Sequence, residues 1–115
     1  MKKLVTIFKA LSDPNRVRIM KMLESRKLCL CEVSSVLKLA NSTVSKHLSI
    51  LKNAGLIIDD KEGKWVNYEL VSSPELVYVQ DMLLLLKKYS NNDITVKNDI
   101  KQVKKVDRKV ICGGD

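Results

Sequence analysis

At Gly55 the spacing of apolar residues changes. Before it, Val44, Leu48 and Leu51 recur at helical intervals; after it, Leu56-Ile57-Ile58 and Trp65-Val66-Asn67-Tyr68-Glu69-Leu70 read as strands. Gly55 suits the left-handed position that stops a helix after Asn53-Ala54. The strand-like runs are joined through Asp59-Asp60-Lys61-Glu62-Gly63-Lys64, where Gly63 marks a hairpin. Upstream, a short helix is expected from about Cys31 to Leu37, then a tight connection at Lys38-Leu39-Ala40. A second helix starts near Asn41-Ser42, either of which can cap it. Helix, short helix, turn, helix and hairpin is the order of a winged helix-turn-helix, mainly α with a β-hairpin wing.

The flanks complete one domain. Residues 2–11 put Leu4, Ile7, Phe8 and Leu11 on one helical face. Ser12-Asp13-Pro14 then starts a helix that runs to about Ser25, burying Val17, Met20 and Leu23 or their near neighbours, with Arg16, Arg18 and Lys21 largely on the polar side. Ser73-Pro74-Glu75 starts a fifth, longer helix ending near Tyr89, in which Met82-Leu83-Leu84-Leu85-Leu86 is apolar nearly all round. Such a helix needs cover on more than one side. Aromatic residues make up only 4% of the chain, so the core is aliphatic and small. Pairing the long helix and the first helix with their copies in a homodimer meets both needs. Residues 1–90 are thus expected to form the DNA-binding and dimerisation domain. Residues 91–115 form either a polar tail or a short helix carrying Cys112, since Ile100, Val103, Val106 and Val110 have roughly helical spacing. The apolar start ends at Lys9 with no cleavage pattern, and no run approaches the roughly 20 apolar residues of a membrane span. A cytoplasmic protein without a membrane partner is expected.

A net charge of +8 favours a polyanionic partner. More telling is its distribution: no carboxylate occurs between Glu32 and Asp59, whereas Lys38, Lys46 and Lys52 do. A surface approaching phosphates gains from that exclusion. Ser42, Thr43 and Ser45 are short hydrogen-bonding residues at the first turn of the second helix, where base edges or phosphates are met. Lys46, His47 and the wing residues Lys61 and Lys64 suit the backbone. The alternative is that Ser42 and Ser45 only cap the helix and His47 is packed or solvated. One histidine, no acid–base pair and no glycine-rich phosphate loop argue against an enzyme.

Three cysteines make no disulfide scaffold and are available for metal or redox chemistry. Cys29 and Cys31 stand just ahead of the reading motif. Thiolates favour soft acceptors, and a helix N-terminus lowers a thiol's pKa. On an ideal helix residues i and i+2 point about 200° apart. A small ion gripping both sulfurs would therefore unwind or reorient the segment and disturb the motif behind it.

The stretches ALSDPNRVRIMKML, LCLCEV, STVSKHLSILKNAGLI and GKWVNYEL, spread over residues 10 to 70, resemble the ArsR/SmtB family of metal-responsive repressors. That resemblance implies a homodimer whose residues 42 to 52 read a two-fold operator, and repression relieved by a bound metal or metalloid. Leu28-Cys29-Leu30-Cys31-Glu32 is similar to the cysteine box of the arsenic- and cadmium-sensing branches, implying As(III) or Sb(III) as inducer at Cys29 and Cys31. The arsenic box type has a third cysteine where this chain has Ser34, so a third sulfur comes from Cys112 or is absent; Cys112 is otherwise an uninvolved thiol. Residues 74–90 hold only Glu75 and Asp81 and no histidine, so the family's zinc site on the dimer helix is not expected. Cadmium or lead at the cysteine pair, a redox switch, and a protein-binding winged-helix module are the competing readings.

Overall fold

The computed structural model describes residues 1–72 and 77–108. The chain runs α1 (Lys2–Ala10), α2 (Pro14–Leu23), β1 (Leu28–Cys29), α3 (Leu30–Leu37), α4 (Asn41–Asn53), β2 (Ile57–Glu62), β3 (Trp65–Leu70), α5 (Val77–Lys88) and α6 (Ile94–Lys105). This is a winged helix-turn-helix, with α3 and α4 as the motif and β2–β3 as the wing. Its fully buried centre is aliphatic: Ile7 of α1, Ile19 and Met22 of α2, Val33 of α3, Val44, Leu48 and Leu51 of α4, and Leu56. Among the described residues no helix is long and apolar enough to cross a membrane.

The start of α2 follows the sequence signal. Asp13 Oδ1 accepts the backbone N–H of Asn15 at 2.8 Å and of Arg16 at 3.3 Å, and Pro14 fills the first helical position. The end of α4 does too. Gly55 has φ +79°, its N–H donates to Lys52 O at 3.0 Å, and the Leu56 N–H donates to Leu51 O at 3.1 Å. Those two bonds make a Schellman stop, sealed by the buried Leu51 and Leu56. A Cβ on Gly55 would meet no atom within 4 Å. Gly55→Ala should therefore cost only the left-handed strain, about 1 kcal/mol, read as a lower urea midpoint with an unchanged slope.

Elsewhere the structure departs from the sequence reading. A third strand exists: Leu28 and Cys29 pair antiparallel with Tyr68 and Asn67, giving the sheet order β1-β3-β2. The short helix consequently begins at Leu30, and Cys29 precedes it in extended conformation, φ −88°, ψ 169°. The α4 N-cap is Ala40, with no side-chain cap, so neither Asn41 nor Ser42 serves as one. The second wing strand has the expected bounds, but the first runs on to Glu62, through residues expected in the joining loop. Ile57 pairs with Leu70 and Glu62 with Trp65, which leaves Gly63, at φ +61°, and Lys64 as the turn.

Lys21 is not on the polar side; it is 1% exposed. Its Nζ donates to Leu86 O at 2.6 Å and to Asn91 Oδ1 at 2.9 Å, and lies 2.9 Å from Glu24, so it docks the end of α5 onto α2. Of the two readings for residues 91–115, residues 94–105 form a helix, capped by Asp93, which accepts the Thr95 and Val96 N–H groups. It buries Val96 and Val103 against the domain. Ser73, Pro74, Glu75 and Cys112 lie outside the described residues. Within α5, Leu84 and Leu85 are 65% and 52% exposed, and Phe8 of α1 is 53% exposed.

Candidate nucleic-acid interface and thiol pair

Burial of Val44, Leu48 and Leu51 turns the opposite face of α4 outward, so Ser42, Thr43, Ser45 and Lys46 are all exposed. Because the backbone of Ala40 begins the helix, the hydroxyls of Ser42, Thr43 and Ser45 are not used as caps, and none has a hydrogen-bond partner among the described residues. They remain available to a ligand. His47 is different: it is half-buried, with Nδ1 3.2 Å from an Arg16 guanidinium nitrogen. Arginine can only donate, so Nδ1 accepts and the ring proton sits on Nε2. Arg16 also donates to Ala10 O at 2.6 Å and Lys9 O at 3.2 Å, tying the end of α1 to α4. Sequence reasoning missed this link; only the coincidence of a lone histidine with an arginine after a helix-start signal hinted at it.

Charge at this face is edited by pairing. Lys52 is matched with Asp59 at 2.9 Å; the hydrogen bond and the charge of that carboxylate raise the lysine's pKa. Lys38 and Lys46 keep their charges unpaired among the described residues. On the wing, Lys61 is exposed, and Lys64 Nζ lies 5.2 Å from the centre of the Trp65 ring, with Arg108 4.9 Å from the same ring. Glu62, between the two wing lysines in sequence, bonds Arg108, which also donates to Asn67 Oδ1 at 2.8 Å. The hydrogen bonds from Arg108 and then Asn67 hold the Glu62 carboxyl below its usual range. This one of the wing's carboxylates is thus neutralised from the C-terminal segment.

Cys29 ends β1 opposite Asn67 and is 2% exposed. Its backbone N–H donates to Glu32 Oε1 at 2.9 Å, one half of a capping box whose other half sets the Cys29 sulfur against the Glu32 N–H. Burial pushes the Cys29 thiol above its ordinary pKa, and the Glu32 N–H only partly opposes this. The lowered pKa expected at a helix start is therefore overturned here by desolvation. The helical geometry assumed for the pair is overturned as well, because Cys29 lies on a strand end and only Cys31 is in the helix. Cys29 is a free thiol, whereas Cys31 is disulfide-bonded, so the two are not joined to each other.

Glu32, 4% exposed, also meets Arg26 at 3.1 Å, and Arg26 donates to Val103 O and Val106 O at 3.1 and 3.2 Å. The thiol joint is therefore bonded through one arginine to the end of α6. Ser34, at the position of the missing third cysteine, donates its hydroxyl to Leu39 O at 2.5 Å and so stitches the turn of the motif. Among the described residues no group of three or more His, Cys, Asp or Glu could hold a metal ion. From those residues the region offers one free thiol, Cys29, and a second sulfur, Cys31, once its disulfide is reduced.

Residues 13–59 match the family described as bacterial regulatory protein, arsR family. The chain is 40% identical over 84 residues to an uncharacterized HTH-type transcriptional regulator of Methanocaldococcus jannaschii, covering 70% of this chain and 94% of that protein. It is 39% identical to the arsenical resistance operon repressor of Escherichia coli, over 57% of each chain. With a cadmium resistance transcriptional regulatory protein CadC homolog of Staphylococcus aureus it shares 45% identity, over 56% of this chain and 54% of the relative. The chain thus spans little more than half the length of those last two. The solved structure of reduced HlyU from Vibrio cholerae superposes with a TM-score of 0.66 at 34% identity, covering 79% of this chain and 92% of that one.

Proposed function

The chain belongs to the arsR family of bacterial regulatory proteins and is a DNA-binding transcriptional regulator, not an enzyme; from that premise we propose that it is a homodimeric repressor released from its operator when Cys29 and Cys31 grip a soft ion. One observation carries the reading. Cys29 is hydrogen-bonded in register with β3 of the wing and is followed at once by α3 of the helix-turn-helix. A pull on its sulfur moves both DNA-facing parts. The exposed apolar residues Phe8 on α1 and Leu84 and Leu85 on α5 support pairing with a second copy through those helices. Ser42, Thr43 and Ser45 meet base edges or phosphates. Lys46, the Nε2–H of His47, Lys61 and Lys64 hold the backbone.

The donor set fits trivalent arsenic or antimony better than cadmium. Once a dithiol reductant has returned Cys31 to the thiol, As(OH)3 reacting with the two thiols gives a two-sulfur site that keeps one hydroxyl, and releases two waters and no net proton. Cd2+ takes more sulfur than this pair supplies and displaces a proton from each thiol it binds. Cys112, as a third sulfur, would complete either site. Similarity to an arsenical resistance repressor and to a cadmium resistance regulator supports a thiophilic inducer without choosing between them.

The test is an operator titration on fully reduced protein, with arsenite, antimonite and Cd2+ each added in turn, in weak buffer so that released protons are counted. Arsenite should weaken binding with no proton release. Unchanged affinity with every ion sinks the proposal. In the same assay Lys46→Gln should lower the slope of log affinity against log salt by about 1 per subunit, uniformly across sequences; an unchanged slope removes Lys46 from the interface.

A second reading rests on the bonded state of Cys31. Oxidation of Cys31 with another thiol gives up two electrons and two protons to an oxidant such as a peroxide, and the partner is not Cys29. Cys112 of the same or a second subunit is the remaining thiol of the sequence. Operator affinity that changes with peroxide and dithiol but ignores every soft ion favours this reading over the first.

A further inference from the structure

Outside the motif, α6 presents a basic face to water. Its two apolar anchors, Val96 and Val103, fix which face points inward. Its single acidic residue, Asp99, is 4% exposed and held by Arg18 in a two-pronged pair, Nε to Oδ2 at 2.8 Å and Nη2 to Oδ1 at 2.9 Å. Asp93, just before the helix, is engaged by the backbone N–H groups it caps. Every carboxylate at this end of α6 is therefore occupied. What faces water is Lys97 and Lys101, one turn apart on the same side.

These lysines do not stand alone. They line one side of a cleft of about 640 Å3 whose other side is the end of α3, including Ser35 and Lys38. Lys38 sits at the left-handed cap of α3, φ 58°, and is exposed. It lies three residues before Asn41, the first residue of α4, hence within about 11 Å of it along an extended backbone. The ammonium groups of Lys38, Lys97 and Lys101 have no ion pair or hydrogen bond among the described residues. A charged helix face is usually just a solvated one. Here the acids are removed from it, and it continues, across a shared cleft, the positive ground beside the tip of the reading helix.

We propose that α6 is a second phosphate-contacting element: Lys97 and Lys101, together with Lys38, grip the DNA backbone beyond the stretch that α4 and the wing cover. The partner is duplex DNA read by charge and not by sequence, because lysines on one helix face carry no base code. This extends the footprint of the proposed repressor and rests on its binding DNA through α4.

The probe is a long mixed-sequence duplex, compared with the same duplex trimmed to about two helical turns, ~20 base pairs. Affinity for reduced, ion-free protein is measured across a salt series. Lys97→Gln/Lys101→Gln should reduce the salt slope by about 2 per subunit on the long duplex, with little difference on the trimmed one and no change in melting temperature. The charge-reversed Lys97→Glu/Lys101→Glu should enlarge the loss on the long duplex. A double variant that matches the unaltered protein on the long duplex overturns the inference, as does an equal loss on both lengths. Lys46→Gln is the internal reference. If it lowers the slope on both duplexes while the α6 variants do nothing, only the α6 contact fails. If the unaltered protein shows no salt-dependent binding at all, the repressor reading fails with it.

Discussion

Cys29→Ser should leave operator binding intact and abolish its response to arsenite. In the unaltered protein, coupling between two sites through one bistable element is typically about 1–3 kcal/mol, a roughly 5–150-fold loss of operator affinity. In the variant that ratio should fall to about 1. Serine fits because it keeps everything Cys29 does structurally. The extended backbone, the register with Asn67 and the N–H bond to Glu32 do not involve the side chain. A hydroxyl is also a better helix cap than a thiol, so stability should hold or rise slightly. What disappears is the soft donor. Anisotropy titrations in strong reductant, with and without arsenite, give the comparison; a variant that still releases the duplex on adding arsenite removes Cys29 from the sensor. Because burial raises the pKa of this thiol, free thiolate is scarce at neutral pH. The rate of ion uptake in the unaltered protein should therefore climb as pH rises toward the thiol's pKa, and that climb should be absent in the serine variant.

Lys21→Met should lower the free energy of unfolding by about 1–3 kcal/mol, the cost of leaving a buried acceptor unpaired. Methionine preserves the length and apolar stem of the side chain, so no large cavity confuses the reading. The ammonium is what holds Leu86 O at 2.6 Å and Asn91 Oδ1 at 2.9 Å. Asn91 and Glu24 are exposed enough to turn to water, but the carbonyl of the buried Leu86 is left without its donor. The end of α5 should loosen from α2, and Leu84 and Leu85 would then be presented less rigidly to a second subunit. Urea unfolding measures the first effect, and sedimentation at low concentration the second. An unchanged urea midpoint would mean that the carbonyl finds water and that the docking is cheap.

The parts of this fold that could be read from the sequence are those set by neighbours in the chain. Asp13-Pro14 specifies a helix start through its own backbone, and Gly55 a helix stop through its own φ. The strand-like run 65–70 and the start of its partner, Ile57-Ile58, are set by their own side chains, whereas 59–62 are strand only because 65–68 lie beside them. The parts that escaped are set by residues far away. Two residues, Leu28 and Cys29, have no periodicity to detect, and they are a strand only because Tyr68 and Asn67 lie beside them. Lys21 looked like a surface cation because its partners, Leu86 and Asn91, belong to another helix and the turn after it. Asn41 and Ser42 are good capping types, yet the helix starts one residue earlier on Ala40. The same division holds at the thiol pair. Spacing alone put Cys29 at a helix start, where its pKa would fall. The sheet pairing of its own backbone buries it and sends the pKa the other way.

The position of β3 between β1 and β2 has one more consequence. Movement at residue 29 reaches the wing across a single strand spacing, about 4.8 Å, and does not have to travel through the long stretch of chain between them. Such a joint is indifferent to what pulls it. Grafting other donors at 29 and 31, imidazole or carboxylate in place of sulfur, would change which ion is felt while keeping the route by which the DNA is let go. On the proposed mechanism the chemistry of detection and the mechanics of release are therefore separable parts, and the first can be exchanged while the second is kept.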